Sequence, residues 1–129
     1  MSYTIDRTFA GEDFGRVVER TRAALAGGGF GVLTEIDVKA TLKKKLGADV
    51  ADYLILGACN PRMAHEAMKI EPRVGAMLPC NIIVRATGAG GVMVSAIDPV
   101  ASMEAIPNDR LKALAGDVRG MLEAVVAAI

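Results

Sequence analysis

The sequence predicts an α+β fold, a largely antiparallel five-stranded sheet with helices gathered on one face. Three observations carry the prediction. Two strand-like runs, "CNIIVRAT" and "GVMVSAID", are joined directly by "GAGG", a hairpin signal and therefore a sign of antiparallel pairing. Three further short strand-like runs precede them, each followed by an apolar stripe of helical period. Hydrophobic residues make up 52% of a 129-residue chain, enough to bury a sizeable core as one domain. A parallel α/β sheet is the principal rival. Its cue, regular strand–helix alternation, is interrupted by the hairpin.

The elements follow in order. "YTIDRTF", 3 to 9, alternates as a strand does, and a helical pattern then brings Phe14, Val17, Val18, Thr21 and Leu25 to one face. Gly27, Gly28 and Gly29 end that helix, because glycine readily takes the positive φ of a helix terminus. "FGVLTEID", 30 to 37, is a second strand, and Asp37 is placed to cap a short helix in which Val38, Leu42 and Leu46 lie four apart. "DYLILGAC", 52 to 59, is a third strand, whose nearly continuous apolar run predicts cover on both faces. Pro61 suits a helix's first turn, giving a helix from about 61 to 70 with Ala64, Met68 and Ala67 inward, broken by Glu71-Pro72. The hairpin strands come next. A loop or short helix follows Asp98-Pro99, and Asn108 caps a last helix with the most regular apolar stripe of the chain, Leu111 to Ile129.

Composition excludes several function classes. Fifteen basic residues balance fifteen acidic ones, and aromatic residues total 4% with no Trp, which argues against nucleic-acid binding by charge or by base stacking. No apolar run approaches the ~20 residues of a membrane span. The first residues show no basic start with an apolar core and cleavage site, so a cytoplasmic location is expected, where two cysteines stay thiols.

"GFGVLTEIDVKATLKKKLG", "YLILGACNPRMAHEAM", "EPRVGAMLPCNIIV" and the later "IDP" resemble the domain-of-unknown-function family numbered 302, over nearly the whole chain. The resemblance implies a fold like that of the TATA-binding-protein half, a curved antiparallel sheet backed by helices, and a homodimer. It assigns no activity, and likeness to a DNA-binding module transfers no DNA binding.

The distinctive chemistry is Cys59 followed by Asn60, and Cys80 followed by Asn81. If the third and fourth strands are antiparallel neighbours, both thiols reach the same rim of the sheet; if parallel, they sit about 15 to 20 Å apart at ~3.3 Å per residue. Alternation puts Cys80 with Ile82 and Val84, Asn81 with Ile83 and Arg85, and Cys59 with Gly57, Ile55 and Tyr53, Gly57 leaving room beside the thiol. Cys59 also precedes the helix starting near Pro61, whose dipole would lower a thiol pKa. The rim of Cys59, Asn60, Cys80 and Asn81, with His65 nearby, is thus the candidate site, for a soft metal held by Cys59 and Cys80, for thiol chemistry, or for a small molecule.

Plainer readings compete. Cysteine is often a small buried hydrophobe, asparagine a natural cap, and two cysteines with one histidine fall short of a zinc site. Glu35 and Asp37 share a strand face and are candidate paired carboxylates, although Asp37 is explained as a cap. The lysines at 39 and 43 to 45 read as a solvated face, and the methionines as core filler, with Met68 and Met121 inward. An apolar-ligand module and a purely structural homodimer remain as alternatives.

Overall fold

A computed structural model describes residues 2–129. Five strands form one sheet: β1 (Thr4–Phe9), β2 (Gly31–Asp37), β3 (Tyr53–Cys59), β4 (Cys80–Ala86) and β5 (Val92–Ile97). Their spatial order is β1-β5-β4-β3-β2, and every neighbouring pair is antiparallel. The helices are α1 (Phe14–Gly27), α2 (Val38–Leu46), α3 (Pro61–Ile70), α4 (Pro99–Ser102) and α5 (Asp109–Ala128), with a 3-10 turn at Pro72–Met77. The expected α+β class, antiparallel pairing and hairpin are all present.

Each helix starts where a short polar side chain offers an oxygen to free amides. Asp13 accepts from the Arg16 amide, Asp37 from Ala40, Asn60 from Met63, and Asn108 from both Arg110 and Leu111. Pleat alternation then decides what the sheet buries. Leu54, Leu56 and Ala58 of β3 face the helices with Cys80, Ile82 and Val84 of β4 and Val92, Val94 and Ala96 of β5, all buried. From α1 come Val17, Val18 and Leu25, and from α5 Leu122, Val125 and Val126, completing the main core. Arg7, on the same face of β1, sends Nη1 to the carbonyls of Val126, Ala127 and Ile129 at 3.1, 2.9 and 3.0 Å. It therefore satisfies acceptors that the end of α5 leaves open.

A second apolar cluster, Ala67, Val74, Met103, Leu111 and Ala115, sits beyond the rim of the sheet, between α3, the 3-10 turn and α5. It accounts for three departures from expectation. The chain between α3 and β4 is not a simple break but a turn that anchors Val74, fully buried. Ala67 is the buried residue of α3, whereas Met68, expected inward, is 44% exposed. Met103, with no periodic pattern to mark it, is 6% exposed.

Two further expectations fail toward the β2 side of the sheet. The helix α2 buries none of its residues, and Leu46 is 75% exposed, because α2 lies against the end of the sheet rather than over its core. Strand β3 is covered on one face only: Tyr53 and Ile55 are half-buried while Leu54 and Leu56 are buried. Its long apolar run reflects a central strand with isoleucine on an open face, not a strand between two helical layers.

Candidate functional site

Antiparallel pairing of β3 with β4 sets the geometry of the thiols. Ala58 stands opposite Cys80, and Cys59 is the next residue of β3 at the same end of the sheet. The two cysteines share a rim, and both are free thiols. They line one cavity, where the room available to the centre of a water-sized sphere is about 30 Å³. That suffices for about two water molecules.

The cavity exists because two apolar clusters meet imperfectly. Phe30, Ala58 and Cys80 bound it from the main core, and Ala67, Met103, Leu111 and Ala115 from the second cluster. Several of these side chains are alanines, too short to close the seam; Ala64 of α3 is a further one. Asn60 lines it as well, but its Oδ1 already accepts from the Met63 amide at 3.1 Å. The lining is therefore almost wholly hydrocarbon and sulfur.

Burial governs the thiol electrostatics. The Cys59 thiol, half-buried, is raised above its ordinary pKa by loss of solvation. Cys80 is pushed up to about 11, mainly by burial and then by the nearness of Cys59, since charge on one sulfur opposes charge on the other. The expected depression of Cys59 by the start of α3 does not occur. Asn60 occupies the cap position instead, and the sulfur lies on the apolar side of it.

The other expected site residues are placed elsewhere. His65 is exposed on α3 and does not line the cavity. Asn81 is exposed on the opposite face of β4 from Cys80, sharing that face with Ile83 and Arg85 as alternation requires. Glu35, on β2, pairs with Arg22 of α1 at 2.7 Å, and Asp37 caps α2, so the two carboxylates serve different partners. The space expected beside Gly57 is filled: a Cβ there would lie 2.8 Å from Pro79 Cγ and collide with Thr34 Oγ1. Among the described residues no group of three or more His, Cys, Asp or Glu side chains could hold a metal ion. Sequence reasoning missed Met63 and Met103 as cavity residues. Met63 had a signal, three residues after the cap Asn60 on the first turn of α3, whereas Met103, in the loop beyond α4, had none.

Among the described residues no helix is long and apolar enough to cross a membrane. No curated protein matches the chain. A solved structure, the crystal structure of an uncharacterized conserved protein DUF302 from Bacillus stearothermophilus, is similar with a TM-score of 0.91 and 26% sequence identity, covering 99% of this chain and 98% of that one. The family model "Domain of unknown function DUF302" matches residues 5–129, and the chain belongs to that family.

Proposed function

We propose that the protein is a small binding module whose site is the rim cavity, and whose occupant is small and soft: a soft metal ion, or a small apolar molecule with affinity for thiols. One observation carries this reading, that both cysteines of the sequence line the same apolar space. Thiol catalysis fits less well. Both thiols are raised, so little thiolate is present at neutral pH, and no basic side chain lines the cavity to activate one. Asn60 belongs to the proposed site as the cap that fixes the first turn of α3; His65, Asn81 and Glu35 lie outside it.

The test is thermal unfolding of the full chain against soft metal ions and small apolar or thiol-reactive molecules, compared with Ala64→Leu, which keeps both thiols and fills the seam. An occupant present at 100 times its Kd stabilises the folded state by about 2.7 kcal/mol. Wild-type protein shifts and Ala64→Leu does not. Absence of any shift in the wild type would remove the proposal.

We also take the working unit to be a cytoplasmic homodimer. Support comes from β2, an edge strand whose residues are exposed except Val32, and which carries Leu33 at 67% and Ile36 at 48% exposure. Such an edge is a template for pairing unless it is covered. Sedimentation decides this: a dimer in the wild type that dissociates in Ile36→Lys supports it, and a monomer at micromolar concentration overturns it.

A further inference from the structure

The cavity is bordered by four sulfur-bearing side chains from four separate places in the chain. Cys59 comes from the end of β3, Met63 from the first turn of α3, Cys80 from the start of β4, and Met103 from the loop after α4. We infer that this cluster is a site for a single monovalent soft cation, copper(I) in its chemistry, held by the Cys59 sulfur as thiolate and by the Met63 and Met103 thioethers, with the Cys80 thiol beside them. The inference rests on the binding reading above and narrows its occupant.

Donor type selects the ion. Thiolate and thioether ligands favour copper(I), while zinc takes thiolate, imidazole or carboxylate, usually four of them. Here the lining side chains offer sulfur and the Asn60 amide, whose oxygen is engaged by the Met63 amide. The described residues hold no set of three His, Cys, Asp or Glu that would suit zinc. Size agrees as well: about 30 Å³ of room accommodates an ion and excludes most organic molecules.

Charge selects the protonation state. The surroundings are hydrocarbon, where a net charge is costly. One thiolate neutralises a monovalent cation, whereas two thiolates would leave a buried anion. Binding therefore breaks one S–H bond and forms one S–Cu bond, with the proton released to solvent and no electron transferred, the ion being supplied already as copper(I). Cys59 is the thiol that ionises, because Cys80 is the more deeply buried of the two. Thioethers complete the coordination without adding charge.

The experiment uses the full chain without oxygen, titrated with copper(I) against a coloured copper(I) chelator, with proton release followed in weak buffer and zinc titrated in parallel. The expected result is a single ion per chain and a single proton per ion, with zinc bound far more weakly. Met63→Leu and Met103→Leu preserve volume, and each weakens copper(I) binding by at least about tenfold, while Cys59→Ser weakens it by about a hundredfold or more. Unfolding of each metal-free variant confirms that it is folded. Uptake that is unchanged in both methionine variants overturns the inference while leaving a thiol site intact. Release of two protons per ion, or zinc binding as tight as copper(I), overturns it too. Absence of copper(I) uptake by the wild type also ends it, and the Ala64→Leu comparison then judges the wider binding reading independently.

Discussion

Gly57 is where the rim is most tightly built, and Gly57→Ala tests that packing. The added methyl would run into Thr34 Oγ1 on β2 and sit 2.8 Å from Pro79 Cγ, which approaches β3 from the turn before β4. Neither neighbour is the free end of a long side chain, since Thr34 belongs to a paired strand and Pro79 is a ring. Room for the methyl therefore comes from turning Thr34 to another rotamer and shifting the Pro79 ring, and overpacking of this kind costs about 1 to 3 kcal/mol. For a chain of 129 residues that lowers the thermal midpoint by about 4 °C per kcal/mol. The second arm is Thr34→Ala combined with Gly57→Ala: removing Oγ1 relieves one of the two clashes, so the double variant recovers part of the loss. Urea unfolding of wild type, Gly57→Ala, Thr34→Ala and the double variant gives the coupling directly. A Gly57→Ala midpoint within about 0.5 kcal/mol of wild type, the range of ordinary surface changes, would refute the packing argument.

Further predictions concern the thiols and two helix ends. With the folded-state pKa of Cys80 raised to about 11, the proton it keeps favours the folded state below the unfolded thiol pKa, and this stability is lost as pH rises from about 9 to 11. Unfolding at pH 7 and 10.5 should show a larger drop in wild type than in Cys80→Ala, and equal drops in both would disprove the assignment. At neutral pH a small alkylating reagent should modify Cys59 before Cys80, both more slowly than free cysteine, as mass spectrometry of a time course would show; Cys80 reacting first contradicts the burial order. Arg7→Ala removes the donor to three carbonyls at the end of α5 and should cost about 1 to 2 kcal/mol in urea unfolding, an unchanged midpoint being the refuting result. Asn60→Ala should cost about 1 kcal/mol through the lost cap of α3, and retention of full stability would show that the cap is idle.

Local chemistry was legible wherever one residue type has one strong use. Asp37, Asn60 and Asn108 cap helices as their types and positions imply, and the hairpin at 88 to 91 marks the antiparallel pairing of β4 with β5, while the pairing of β3 with β4 that brings the thiols to one rim has no such local signal. Helical periodicity located the buried face of α1 correctly, with Val17, Val18, Thr21 and Leu25 inward. It failed at Met68 of α3 because the partner of that helix is not the sheet but the second cluster, which takes Ala67 inward as expected and leaves Met68 outward. Period alone states that a face exists, not what it meets. Nor could it reveal the cavity, which arises from the mismatch of two clusters contributed by segments as distant as Phe30 and Val118. The pKa of Cys59 was misjudged for a related reason: proximity to a helix start is visible in sequence, but the apolar wall on the other side of the sulfur is not.

A space enclosed within one packed core opens only if that core loosens. The seam between Ala58 and Ala115 is different, because it lies where two clusters meet, one resting on the sheet and the other on α3 and the 3-10 turn, with α5 contributing side chains to both. An occupant of this seam would therefore touch both clusters at once and tie α3 to the sheet.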